Sequence, residues 1–143
     1  MKIDPKKIAR MISEDPNEVV DATEDDIKIS ILPNRNPSFS EEFEYSTEGG
    51  TLRIVNPNSK WWKYSVVETY VDEGQRRQGI ASRLIDKALQ HLKGKGPIAA
   101  QTSSDGSTRL YWNKGFRNES DNLEQALQDR KENSSVLLVH PNS

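Results

Sequence analysis

One stretch leaves this chain little freedom in how it can fold. Trp61 to Val71 is rich in aromatic and β-branched residues and reads as a long central strand. Asp72-Glu73-Gly74-Gln75 leaves that strand, and Gly79 opens a different periodicity. Ile80, Leu84, Ala88 and Leu92 recur every four residues, flanked by Ala81, Ile85 and Leu89. Such a stripe requires a helix of about four turns with one side buried. Gly94 suits a left-handed cap, and Pro97 forbids continuation. Ile98 to Thr102 follows as a buried strand.

The remaining elements fit around this unit. Ile8, Met11 and Ile12 share a helical face, so residues 4–14 read as a short amphipathic helix. Ile27, Ile29 and Ile31 alternate with polar residues as in a strand. Pro33-Asn34-Arg35-Asn36-Pro37 breaks the chain. Phe39–Tyr45 and Thr51–Val55 read as two strands, with Glu48-Gly49-Gly50 supplying the positive φ of a hairpin turn. Asn56-Pro57-Asn58-Ser59 is a second turn. Thr108–Lys114 reads as a helix closed by Gly115, residues 122–131 as another helix, and Val136–Val139 as a last strand. With 143 residues, no repeat and no long linker, the expectation is one domain over 1–143. Its class is α/β (α+β), a mixed central sheet with flanking helices.

The chemistry concentrates where the long strand meets the long helix. The first N–H groups of a helix lack internal partners and carry partial positive charge. An anion placed there meets several backbone donors at once. Gly79 leaves the approach open, and Ala81 is small. Arg76 and Arg77 add charge, and Ser82 can add a hydroxyl. A diphosphate would fit, but so would a helix that merely begins with basic residues, and spacing alone does not decide. The turn is not a Walker A loop, since it has no Gly-Lys-Ser/Thr triplet. Nor do its glycines have the dinucleotide spacing.

Arg76-Arg77-Gln78-Gly79-Ile80-Ala81 resembles the Gln/Arg-x-x-Gly-x-Gly/Ala signature of the GNAT superfamily of N-acetyltransferases. Upstream, Val66-Val67-Glu68-Thr69-Tyr70-Val71 resembles the strand that runs into that turn in the family. Downstream, Leu110-Tyr111-Trp112-Asn113-Lys114-Gly115-Phe116 is similar to its Leu-Tyr-x-x-x-Gly-Phe helix. The resemblance covers Trp61 to Phe116, with both signatures in the family's order.

The resemblance implies a GNAT-type sheet splayed at a cofactor cleft, with acetyl-coenzyme A as cosubstrate and no metal. Coenzyme A would lie between Trp61–Val71 and Ile98–Thr102. The backbone of Thr69, Tyr70 and Val71 would pair with the pantetheine arm. An amide at Val71 or its neighbour would polarise the thioester carbonyl and stabilise the tetrahedral intermediate. Arg76, Arg77, Gln78, Gly79, Ile80, Ala81 and Ser82 would hold the pyrophosphate. Ser104 stands where the family often has Asn against the cofactor. Tyr111 matches the tyrosine that protonates the leaving thiolate. An amine with a pKa near ~10.4 must lose a proton before it attacks, and Glu68 is the candidate acceptor, with solvent the alternative. In other members an acid sits on the following strand, but Ile98-Ala99-Ala100-Gln101-Thr102 contains none. The family also places two helices between its first two strands, and Pro33–Ser40 looks too short for them. A more open acceptor site, suited to a protein or peptide amine, would follow.

Other classes fit less well. The chain lacks cysteine, which removes disulfides, thiolate metal sites and cysteine nucleophiles. The net charge of -2 exerts no general pull on nucleic acid. No apolar run approaches the ~20 residues of a membrane span. Met1 to Lys7 lacks the apolar stretch of a secretory signal, so the cytoplasm is expected. Trp61-Trp62, flanked by lysines, could stack on bases, but on a strand one ring would face the core and the other outward. His91 and His140 have no second ligand at metal spacing. The acidic segment Glu14–Asp26 reads as a solvated face that could attract a basic substrate. The expected partner is an amine acceptor, small molecule or protein. A homodimer is allowed, and nucleic acid and membrane are not expected. The competing reading is an acyl-coenzyme A-binding module of weak or no activity.

Overall fold

The alternation at Ile27 and Ile29 becomes β1, Lys28–Ile31, in a computed structural model that describes residues 26–33, 38–75 and 79–143. The helix expected over 4–14 lies outside the described residues, as do Arg76, Arg77 and Gln78. β2 (Glu41–Thr47) and β3 (Gly50–Asn56) form the expected hairpin. The turn glycines divide the work. Gly49 takes the left-handed conformation, φ 87°. Gly50 instead begins β3 at a point of close packing, where an added Cβ would lie 2.5 Å from Ile80 Cγ2.

β4 is Tyr64–Val71, shorter than the expected Trp61–Val71. The two tryptophans precede the strand. Ser59 Oγ accepts from the Trp61 amide at 3.1 Å, which ties the chain into the turn. The Lys63 and Tyr64 amides donate to Pro97 O, and strand pairing begins only there. Trp61 is exposed, while Trp62 donates its indole N–H to Ser65 Oγ at 2.6 Å. A short 3-10 turn, Glu73–Gln75, leaves β4, and α1 runs Ile80–His91. Gly94 has the expected left-handed φ, 78°, but α1 is capped two residues earlier at Leu92, and the Gly94 amide donates to Asn142 O instead of a helix carbonyl.

β5 is Ile98–Thr102, α2 Asp105–Asn113, α3 Leu123–Asn133 and β6 Val136–His140. α2 starts before the expected Thr108 because Ser104 caps it. Ser104 Oγ accepts from the Ser107 amide at 3.1 Å, and the Ser107 hydroxyl reaches back to the Ser104 amide at 3.3 Å. This is a capping box built with serine at the position where glutamate is the usual signal.

The six strands lie in sequence order, β1-β2-β3-β4-β5-β6. All neighbours are antiparallel except β4 and β5, which α1 joins in parallel. Ile80, Leu84, Ile85, Ala88 and Leu92 of the predicted stripe are all buried. They join Phe43, Tyr45, Leu52, Ile54, Tyr64, Tyr111, Phe116 and Leu138 in one hydrophobic cluster. Each large aliphatic side chain there contributes at most roughly 1.5–3 kcal/mol. β1 joins β2 through residues 32–40, a stretch too short for two helices of about eleven residues each. Among the described residues, no helix is long and apolar enough to cross a membrane.

Candidate active site

A parallel pair can stay hydrogen-bonded only while its strands keep direction, and β4 does not. Its pairing with β5 covers Tyr64↔Ile98 and Ser65↔Ala99 and then stops. On the β3 side the register runs Ile54↔Val66 and then Arg53↔Glu68. Val67 is therefore an extra residue, a β-bulge, which bends and twists the strand that carries it. The bend falls where β4 parts from β5. From Val66 to Tyr70, the β5-facing edge of β4 has no strand partner among the described residues.

The resulting cleft encloses about 780 Å³, within the range of small-molecule and cofactor sites. β4 forms one wall along Val66–Val71, and β5 the other along Ala100–Thr102. Gly79, Ile80, Ala81 and Ser82 close one end, while Ser107 and Tyr111 of α2 reach in from the other side.

The start of α1 differs in kind from those of the other helices. Ser104 caps α2 and Asn122 caps α3 with side-chain oxygens. Gly79 caps α1 in a left-handed conformation, φ 75°, with no side-chain hydrogen bond and no acidic residue in the first turn. The unsatisfied N–H groups and the positive end of the helix dipole therefore point at whatever enters the cleft. A Cβ on Gly79 would meet nothing within 4 Å. Its backbone angle, rather than crowding, is what calls for glycine.

The bulge also sorts the side chains of β4 onto two faces. Thr69 lies opposite buried Leu52 and turns toward the helices. Its Oγ1 is 3.1 Å from the Tyr111 hydroxyl. Glu68 lies opposite Arg53 and takes the other face. There Arg53 Nη1 is 3.6 Å from Glu68 Oε2, and Arg53 Nε is 3.2 Å from Oε1 of buried Glu42. Glu68 and Tyr111 thus both line the cleft, from opposite faces of one strand.

Tyr111 is held firmly. Its ring is 5% exposed and packs edge-on against Phe116 at 5.0 Å. Burial raises the phenol above its ordinary pKa, and the Thr69 hydrogen bond offsets part of the rise. Its helix is fastened to β5 by buried hydroxyls. Thr108 Oγ1 donates to Ser104 O at 2.7 Å, so the Thr102 hydroxyl, 2.7 Å away, must donate to Thr108.

Thr69, Tyr70, Val71, Gly79, Ile80, Ala81 and Ser82 all line the cleft. Ser104 does not, because its hydroxyl is engaged in the cap of α2. Ser103 and Ser107 form that wall instead. Two features had no readable signal in the sequence. The hydroxyl of Thr69 sits among β-branched residues that all look like strand formers. The bulge at Val67 leaves no mark, because valine also fits an unbulged strand.

The family model described as an acetyltransferase (GNAT) domain matches residues 50–127, a span longer than half the chain. The chain belongs to this family of acyltransferases. The fold is also that of a GNAT family acetyltransferase from Elizabethkingia anophelis solved with acetyl-CoA bound, at 17% identity and a TM-score of 0.51, covering 82% of this chain and 99% of that one. The IAA acetyltransferase from Bacillus cereus is similar in fold, at 17% identity and a TM-score of 0.52, covering 80% of this chain and 99% of that one. At such identities the likeness is one of fold. No curated protein matches the chain.

Proposed function

We propose that this chain, as one domain over 1–143, is an N-acetyltransferase that moves an acetyl group from acetyl-coenzyme A directly to an amine, in the cytoplasm. The observation that carries the reading is the parting of β4 from β5 beside the start of α1, which has no side-chain cap. A strand edge without a partner suits an extended amide-bearing arm, which would add to it as a further strand. The first turn of α1 suits a diphosphate. Gly79, Ile80, Ala81 and Ser82 would hold it, together with Arg76, Arg77 and Gln78, which precede them in sequence. The pantetheine arm would run along Thr69, Tyr70 and Val71. The family membership and the acetyl-CoA bound to the Elizabethkingia anophelis enzyme support this choice of cosubstrate.

Tyr111 would give its proton to the sulfur as the thioester breaks. Glu68, on the other face of β4, would take the proton of the incoming amine directly or through water. The acceptor then approaches from the face opposite the helices. Because residues 32–40 leave no room there for two helices, a protein or peptide amine is favoured over a small enclosed ligand.

Two measurements test the reading. Thermal stabilisation by acetyl-coenzyme A reports cleft occupancy. Release of thiol on adding polyamines, aminoglycosides, amino acids or lysine peptides, with the products read by mass spectrometry, reports transfer. Stabilisation without thiol release from any amine would leave an acyl-coenzyme A-binding module. Absence of both would remove the reading.

A further inference from the structure

We infer that the Thr69 hydroxyl is a positioning residue for Tyr111, donating to the phenolic oxygen while that oxygen gives up its proton. The inference rests on the proposed acid role of Tyr111. Among the described residues, the Tyr111 hydroxyl makes one hydrogen bond, to Thr69 Oγ1 at 3.1 Å. Its ring cannot swing to find another partner, being 5% exposed and packed on Phe116. The helix beneath is tied to β5 through Thr102 and Thr108. Thr69 is fixed in turn by its register opposite Leu52, beyond the bulge. The two hydroxyls therefore meet because two rigid elements bring them together.

The roles within the pair follow from proton counting. A phenol has one proton, and a threonine hydroxyl has one. If Tyr111 donated to Thr69, its proton would be engaged and turned away from the sulfur. With Thr69 as donor, the phenolic proton is free to face the cleft. As the carbon–sulfur bond breaks, its electron pair goes to sulfur, which takes the proton from Tyr111. The phenolate left behind keeps the Thr69 hydrogen bond, which strengthens as the oxygen becomes charged. The proton shed by the newly acylated nitrogen later restores the phenol through the base and solvent. The direction of the pKa effect agrees, since the Thr69 hydrogen bond pulls the phenol down against the rise from burial.

The test uses Thr69→Val, which keeps the shape and removes the hydroxyl, and Thr69→Ser, which restores it. Tyrosinate absorbance is titrated in each full-length protein and compared with Tyr111→Phe to isolate the Tyr111 signal. Thr69→Val is expected to move that titration to higher pH and Thr69→Ser to return it. Turnover is followed with acetyl-coenzyme A and a lysine peptide. Thr69→Val is expected to lower kcat roughly tenfold in the wild-type background and to have no further effect in Tyr111→Phe. An unmoved titration, or an equal loss of kcat in both backgrounds, overturns the inference. Full kcat in Tyr111→Phe overturns the acid reading itself, a failure distinct from the other two.

Discussion

Tyr111 presents a phenolic oxygen to the cleft from a ring that is almost wholly packed away. That arrangement sets how its removal should read. Tyr111→Phe keeps the ring contacts with Phe116 and loses only the oxygen. We expect kcat for thiol release to fall by about 10²-fold or more, the usual scale for general acid catalysis. Stabilisation by acetyl-coenzyme A should stay within error of wild type. The pH dependence carries a sign as well. A general acid works while protonated, and burial raises this phenol above its ordinary pKa of ~10. Turnover should therefore not decline through loss of this proton as pH rises from ~8 to ~10. A rate that halves near pH ~9 and loses that limb in Tyr111→Phe would keep the acid role and contradict the raised phenol pKa.

Among the elements, α1 was the most legible and the strand before it the least. The four-residue stripe from Ile80 to Leu92 can be buried only as a helix, so pattern and structure agree. β4 begins three residues later than its composition predicts, and its bend leaves no mark in the sequence. Trp61 and Trp62 have strand propensity, but Ser59 and Pro97 hold the chain outside the sheet until Tyr64. Propensity sees the residue and not the long-range bond. α2 begins earlier than the sequence predicts for a related reason, since serine at its third position closes the capping box less visibly than glutamate. The site was legible to a matching degree. Gly79 and Tyr111 stood in recognisable signatures, while the pairing of Thr69 with Tyr111 needs the register of β4.

Gly50 shows how one element positions another. Its missing side chain lets β3 approach the first turn of α1, and an added methyl would lie 2.5 Å from Ile80 Cγ2 and 3.2 Å from Tyr70 O. Gly50→Ala should push the first turn of α1 away from β4. We expect a loss of about 1–3 kcal/mol in stability, the usual cost of overpacking. A weaker stabilisation by acetyl-coenzyme A should accompany it. Unchanged values for both in denaturant melts with and without the cosubstrate would show that the contact relaxes freely.

For the whole molecule, the two histidines make stability depend on pH. His91 is half-buried and packs edge-on against the core rings of Phe43 and Tyr45, and its Nδ1 is 2.8 Å from the Tyr45 hydroxyl. Burial lowers its pKa, with Lys95 and Lys87 adding to the effect. Burial likewise lowers that of His140, helped by Arg117. Both groups are less ready to bind a proton in the folded state than in the unfolded chain. Their neutral forms therefore favour folding above the unfolded pKa of ~6.5, and that advantage is lost as pH falls below it. The melting temperature should drop between pH ~7 and ~5.5, before most carboxylates titrate. In the double variant His91→Gln and His140→Gln the drop should flatten. A wild-type melting temperature level across that window would refute the coupling.

Val67 has a consequence that concerns chain length rather than chemistry. As a spare residue in the ladder, it could be deleted while Ser65, Val66, Glu68 and Thr69 keep the faces they now occupy. Nothing would be mutated in the usual sense, yet the strand would straighten alongside β5 and the two could zip together past Ser65. We expect the deletion variant to melt no lower than wild type and to show no stabilisation by acetyl-coenzyme A. A one-codon length change would then separate folding from binding, the kind of change that a comparison of substitutions alone never samples.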